Sequence, residues 1–144
     1  MGEWSTNLRG KSFKFFGEYA KNLGADVDKS TGRAANNSIA DDLDTAWQLG
    51  AQYGHKKFKK FGDWKVKAMY RLIQQDATFY ALNDSDFHDG GTNAKGVKLQ
   101  AKVAFRKGMS MNYTFYSTKN ERGDISGGQY DILGHHQFDL EFKF

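Results

Sequence analysis

Cysteine and proline are both absent from the 144 residues, and no stretch is a long apolar run. The absence of cysteine excludes a disulfide framework and thiolate chemistry. The absence of proline allows long β-strands to continue without interruption. A membrane-spanning helix needs about 18 consecutive apolar residues, so the sequence excludes one on length.

The composition is polar on average but rich in aromatic residues. Hydrophobic residues make up 39% and aromatic residues 15% of the chain, while the mean hydropathy is −0.73. A transmembrane β-barrel has this combination because only alternate residues of each strand face lipid. The net charge of +4 is too small to indicate nucleic-acid binding, and we expect no nucleic-acid partner.

Apolar and polar residues alternate with a period of two in most of the chain, which favours strands over helices. In the clearest segment, Trp64 to Leu72, every second residue is apolar or aromatic, while Lys65, Lys67 and Arg71 lie on the opposite face. The sequence predicts an all-β, antiparallel up-and-down barrel with six strands and a plausible seventh. The six segments are 13–20, 45–53, 63–72, 97–106, 109–116 and 137–144, and the seventh is 4–8.

The predicted connections alternate in length, short at 9–11 and 106–108, intermediate at 54–62, and long at 23–43, 75–95 and 119–129. This is the pattern of bacterial outer-membrane barrels. Short turns would be periplasmic and long loops extracellular. Bacterial single-chain barrels have at least eight strands in an even number. We therefore expect residues 1–144 to be one barrel segment that ends at the barrel's C-terminus and belongs to a longer chain. The absence of a signal segment fits that expectation. The alternatives are a barrel shared between copies and an eighth strand at 77–82.

A soluble sandwich or a lipocalin-like barrel would also show alternation. Two features weigh against both. Aromatic residues lie near the strand ends of the apolar face, where membrane proteins have aromatic girdles. The opposite face carries too many charges for the interior of a small soluble barrel, whereas a water-filled lumen removes the cost of burying them.

Several motifs resemble one family of bacterial membrane proteins. They are the segment Asn83 to Asn93 followed by Lys95 and Gly96, the ending Phe138 to Phe144, Phe15 to Tyr19, and Gly62 to Trp64 with Tyr70 and Arg71. Together they resemble the C-terminal part of the putative porin family of Gram-negative bacteria. The resemblance implies a bacterial outer-membrane location and a channel, and it specifies no solute.

The resemblance extends to the last residues of the chain. The alternating ending resembles the C-terminal signal that barrel-assembly machinery recognises in outer-membrane proteins. The residues that carry it are Phe138, Leu140, Phe142 and Phe144. We therefore expect three kinds of partner: outer-membrane lipid, the assembly machinery, and either further copies or the rest of a longer barrel.

Two neighbouring predicted strands place their cations on one inward face, which we call the basic wall. Its residues are Lys65, Lys67, Arg71, Lys98, Lys102 and Arg106. Charges on adjacent strands lie within one Debye length, so their potentials add and favour anions. Glu18, Asp139 and Glu141 are predicted to face the same lumen. Carboxylates on further strands would leave the lumen nearly neutral.

The long connection before residue 94 contains a cluster of potential cation ligands, Asp84, Asp86, His88 and Asp89. Their spacing does not match an EF-hand, and we expect a solvated or lumen-folded loop without metal. No residue pattern indicates catalysis, and no cofactor is expected. The sequence predicts a passive diffusion channel for small hydrophilic solutes or ions with a preference for anions. A structural or sheath-type barrel without open conductance is the alternative.

Overall fold

The computed structural model describes residues 1–23, 43–77, 86–122 and 132–143. They form one antiparallel sheet in which each strand pairs with its neighbours in the sequence. The strands are β1 (Gly2–Leu8), β2 (Lys11–Lys21), β3 (Thr45–Gly54), β4 (Trp64–Ile73), β5 (Ala94–Arg106), β6 (Met109–Asn120) and β7 (Ile132–Phe142). A 3₁₀ turn, His88–Gly90, precedes β5.

The seven-strand, up-and-down order confirms the predicted fold class, including the plausible seventh strand at the N-terminal end. The connections β1–β2 and β5–β6 have two residues each and β3–β4 has nine, and these three, called the short connections, share one rim of the sheet. The connections β2–β3, β4–β5 and β6–β7 are long and share the other rim. The suggested extra strand at 77–82 lies outside the described residues except for Ala77, which forms a bend.

The sheet is not closed among the described residues, since no pairing joins β1 to β7. Consecutive strands are antiparallel, so β1 and β7 run in the same direction. Direct pairing of these two edges would be parallel, in contrast to the pairing everywhere else in the sheet. Within the described part of the chain, no helix is sufficiently long and apolar to span a membrane.

The two faces of the sheet differ sharply in exposure. The outer face carries the apolar series, including Trp4, Phe138 and Leu140, whose exposed fractions are 60%, 69% and 61%. The inner face carries the polar series, in which Thr114 and Thr118 are only 1% and 2% exposed. A continuous series of exposed, large apolar residues on one face differs from the surface of a soluble protein, where such residues are mostly buried.

Gly50 allows the inner face to pack closely at its centre. A Cβ at this position would lie 2.4 Å from Phe16 Cζ and 2.7 Å from Met69 Cβ. Phe16 is the large aromatic residue that interrupts the polar series of β2, and it fits because its cross-strand partner has no side chain. Glycine is therefore required here by close approach.

We expect Gly50→Ala to destabilise the protein by about 1–3 kcal/mol, because Phe16 or Met69 must move to accommodate the methyl group. Thermal unfolding in detergent checks this, with Gly134→Ala as the control, since a Cβ at Gly134 meets nothing within 4 Å. Equal melting temperatures for the two variants would contradict the assigned packing.

Candidate functional site

The inner face is the surface on which most predicted site residues meet. The strand register places on it Lys14 and Glu18 of β2, Gln48 of β3, Lys65, Lys67 and Arg71 of β4, Lys98, Gln100 and Lys102 of β5, Asn112 and Thr114 of β6, and Asp139 and Glu141 of β7. Cations are concentrated on β4 and β5, at the middle of the sheet. Acids lie on the strands toward its two edges.

Four lysines of the basic wall occupy a compact area. Lys65 lies directly opposite Lys102, and Lys67 lies opposite Gln100, diagonal to both Lys98 and Lys102. Like charges placed directly opposite each other in a sheet are destabilising. We refer to Lys65, Lys67, Lys98 and Lys102 as the lysine cluster.

Each member of the lysine cluster lies over an aromatic ring. Lys65 and Lys102 share Phe58, at 5.6 and 5.4 Å from the ring centroid. Lys67 lies 4.9 Å from the Phe16 centroid, and Lys98 lies 4.7 Å from the Tyr116 centroid. Cation–π attraction of this kind restricts the position of the amine, but the ring adds no compensating negative charge.

Acids of the inner face form hydrogen bonds with neutral polar side chains as well as ion pairs with cations. Glu141 accepts from Lys102 Nζ at 2.5 Å. Gln48 donates to Glu18 at 2.6 Å and accepts from Arg71 Nε at 3.0 Å, so a relay of hydrogen bonds joins β2, β3 and β4.

Asp139 also takes part in side-chain hydrogen bonding on this face. It accepts hydrogen bonds from Asn112 of β6 and from Gln137 of its own strand. Glu18, Asp139 and Glu141 therefore lie on the same face of the sheet as the lysines of β4 and β5.

Arg106 differs from the other members of the basic wall. A β-bulge between Ala104 and Arg106 places Arg106 opposite Met109, a residue of the apolar series. The bulge inserts one extra residue, so the alternation that assigns Arg106 to the inner face does not hold beyond Ala104. The inner face of β5 is thus basic through Lys98 and Lys102.

The β4–β5 connection folds onto the inner face through Phe87 and His88. Phe87 is 1% exposed and belongs to a buried cluster with Ile73, Ala77, Ala94 and Tyr116. The Arg71 guanidinium lies 5.1 Å from the Phe87 ring centroid. This packing attaches the β4–β5 connection to the end of the basic wall that lies nearest the long connections.

His88 fixes the same connection by hydrogen bonds to β6. Its ring nitrogens lie 3.1 Å from Thr118 Oγ1 and 2.6 Å from Asn120 Oδ1. Both nitrogens are therefore engaged. Asp89 lies within the 3₁₀ turn and Asp86 lies just before it, whereas Asp84 lies outside the described residues. Within the described ranges, no group of three or more acidic or histidine side chains could hold a metal.

The short β3–β4 connection positions Phe58 beneath the lysine cluster. Asp63 accepts hydrogen bonds from the backbone N–H groups of Lys59 and Lys60, at 2.7 and 2.8 Å. These bonds, together with the nearby His55 and Lys60, lower the pKa of the Asp63 carboxyl from its ordinary value of 3.8. The carboxylate thus closes the turn that carries Phe58.

Because the pKa of Asp63 is depressed in the folded state, its stabilising contribution is present above pH 3.8 and is lost as the pH falls through the folded-state value. We expect Asp63→Asn to lower the unfolding temperature at neutral pH and to reduce the further loss on acidification. A pH series of thermal unfolding measures both effects. A variant that loses stability on acidification as steeply as the parent would contradict this role.

The last described strand carries the predicted C-terminal signal on its outer face. Phe138, Leu140 and Phe142 lie opposite Tyr113, Met111 and Met109. Phe144 lies outside the described residues.

The two consecutive histidines point to opposite faces, because His136 contacts Tyr113 and Phe115 of the outer face while His135 contacts the Tyr116 ring of the inner face.

The comparison with protein families agrees with this arrangement, since the family model described as putative porin matches residues 6–144. The chain belongs to the putative porin family. The match extends over nearly the whole chain and confirms the expected resemblance. Membership of this family implies a membrane location. The comparisons with curated proteins and with solved structures gave no match.

The sequence did not predict that two porin residues, Phe58 and Phe87, contact the basic wall. Both lie in connections, where period-two alternation gives no information on facing. Phe58 belongs to the run His55 to Phe61, in which lysines and phenylalanines are mixed without the period of a strand. An apolar ring inside a charged connection is the signal that could have identified each contact.

Proposed function

We propose that the chain forms part of an outer-membrane porin that passes small hydrophilic solutes or ions by passive diffusion, with a preference for anions. The observation that carries the proposal is the inverted distribution of polarity over the two faces. An exposed apolar face requires lipid contact, and a charged inner face requires water. A water-filled channel bordered by the inner face satisfies both requirements.

The dimensions of the strands fit an outer membrane. Strand β2 has 11 residues, or about 35 Å at roughly 3.4 Å per residue. Tilts of about 35–45° reduce its span to about 25–29 Å, against an apolar band of about 25 Å in such barrels. Lys11 and Lys21 end the strand, so the charges on its outer series lie at the two margins of the band.

Nine of the thirteen aromatic residues that the described strands carry on the outer face form two belts that support the same placement, whereas Phe15, Tyr113, Phe138 and Phe142 lie outside the belts. The belt nearer the short connections consists of Trp4, Phe13, Tyr53, Trp64 and Phe105. The belt nearer the long connections consists of Tyr19, Trp47, Tyr70 and Phe115. Such girdles are typical of the two membrane–water interfaces.

Both belts drift in the same direction across the sheet. Measured by the pairing of the strands, they move by about four to six residues over four strand junctions. With about 3.4 Å per residue and 4.8 Å per junction, level belts require a strand tilt of about 35–47°. This range matches the tilt of transmembrane barrels, which is about 35–45°.

Further strands complete the barrel. Because β1 and β7 run in the same direction, an odd number of additional strands closes the sheet with antiparallel pairs throughout. Copies of this chain inserted in the same orientation would meet in parallel pairs. The directions of the two edges therefore favour a longer chain over self-association.

The basic wall supports the anion preference. On the inner faces of β4 and β5 the charges are Lys65, Lys67, Arg71, Lys98 and Lys102, with no acid on either strand. Glu18, Asp139 and Glu141 border this region and reduce its potential without cancelling it. In this proposal the long connections lie outside the cell and the short ones lie in the periplasm, and the barrel-assembly machinery recognises the outer face of β7.

Conductance in planar bilayers distinguishes the porin from a sealed structural barrel. The test uses protein containing this sheet, refolded in detergent and verified as β-structured by circular dichroism. A porin gives stable, ohmic current steps and a reversal potential that favours chloride over potassium in a salt gradient. Folded, membrane-inserted protein without steps would instead support the structural barrel.

A further inference from the structure

The geometry points to a binding site for small oxyanions, of the carboxylate or phosphate class, at the lysine cluster of β4 and β5. The site deepens the proposed function and rests on it, because a solute reaches the inner face only through a water-filled lumen. A general anion preference needs only distributed positive charge, whereas a binding site needs several amines within reach of one ligand.

The strand register supplies that convergence. Lys65 and Lys102 are direct cross-strand partners, and Lys67 is diagonal to Lys98 and Lys102. Side chains opposite each other have Cβ atoms about 5 Å apart, and diagonal neighbours lie about 7–8 Å apart. At these separations, the long side chains of neighbouring lysines can place several ammonium groups around one bound ion.

The charge of the cluster is only partly compensated within the protein. Lys102 is paired with Glu141, but Lys65 and Lys67 form no ion pair with any acid of the described ranges. The cost of placing like charges together is offset when an anion is bound between them.

The aromatic rings give the cluster its preorganisation. Phe58 lies under both Lys65 and Lys102, and Phe16 lies under Lys67. Phe16 has its position because Gly50 leaves room for it, and Phe58 because Asp63 closes its turn. Amines that are already restricted lose less conformational entropy on binding a ligand.

The donor chemistry favours oxyanions over halides. Each ammonium group has three N–H donors and no acceptor, and the neighbouring Gln100 adds an amide. A phosphate or a dicarboxylate has several charged acceptor oxygens, so it can accept from two or more amines at once. A chloride ion has the charge without separate acceptor atoms.

The test measures the block of chloride current by inorganic phosphate in planar bilayers, with succinate as the dicarboxylate probe. Saturable block is expected, and Lys67→Gln with Lys98→Gln is expected to raise the half-blocking concentration at least tenfold while chloride current persists. The matched control is Lys56→Gln with Lys57→Gln, two exposed lysines of the β3–β4 connection, which leaves the block unchanged. If the double variant does not fold, Lys65→Gln alone is tested instead, and we expect a smaller rise in the half-blocking concentration.

The outcomes separate the binding site from the channel. Chloride steps without saturable block by either probe, or with the same block in both double variants, would overturn the site and leave the porin function standing. Absence of chloride steps would contradict the porin function. Calorimetric titration of phosphate into the folded, detergent-solubilised protein then tests the binding site independently of conductance. Phosphate binding that is lost in Lys67→Gln/Lys98→Gln would support the site, and absence of binding would overturn it.

Discussion

Replacement of Phe87 by alanine is expected to destabilise the protein by about 3–5 kcal/mol, the usual cost of removing a buried phenylalanine ring. Phe87 is 1% exposed and forms the contact between the β4–β5 connection and the inner face. Its loss also removes the ring over which Arg71 lies. In the porin, a connection released from the wall should obstruct the lumen less, so we expect a larger single-channel conductance.

Thermal unfolding and single-channel recording measure the two effects of Phe87→Ala. The control is Phe61→Ala, because Phe61 is 80% exposed in the β3–β4 connection. Its truncation should change stability by no more than about 0.5 kcal/mol. Unaltered conductance in a folded Phe87→Ala variant would show that the connection does not narrow the channel.

Charge reversal on β5 is expected to change the selectivity of the channel from anions to cations. Lys98→Glu with Lys102→Glu replaces two positive charges by two negative ones in the centre of the basic wall. A unit charge at about 4 Å contributes about 1 kcal/mol even at the dielectric constant of water. The permeability ratio should therefore shift by roughly tenfold or more, since each 1.4 kcal/mol is a factor of ten.

The reversal potential in a potassium chloride gradient measures this shift. Lys102→Glu also breaks the ion pair with Glu141, so the milder pair Lys98→Gln with Lys102→Gln serves where the reversal variant does not fold. Lys56→Glu with Lys57→Glu applies the same change of charge to an exposed connection. An unchanged reversal potential in the wall variant would remove the claim that these lysines set selectivity.

The strands and their facing could be predicted because alternation is a local property of the sequence. Trp64 to Leu72 shows the two series directly, and the structure places Lys65 and Lys67 on the face opposite Val66 and Ala68, as predicted. The matching apolar series exclude a slip of one residue between neighbouring strands, since such a slip would exchange the two faces, but the register itself was not predicted.

Other features of the site depend on contacts that alternation does not encode. The bulge before Arg106 changes the facing of one residue, and no proline or glycine marks it. Phe16 interrupts its series in the sequence, and only the position of Gly50 on the neighbouring strand explains why it is tolerated. Phe58 and Phe87 reach the wall from connections, where the chain has no regular repeat.

The most direct test of which residues face lipid and which face the lumen is the accessibility of single cysteines in the membrane-inserted porin. The chain has no cysteine of its own, so each introduced thiol is the only one. The variants Leu99→Cys, Gln100→Cys and Ala101→Cys place a thiol at consecutive positions of β5. A charged, membrane-impermeant thiol reagent should modify position 100 rapidly and reduce the conductance, while positions 99 and 101 react slowly. Modification of positions 99 and 101 as fast as position 100 would contradict a lipid-facing apolar series and a water-filled lumen.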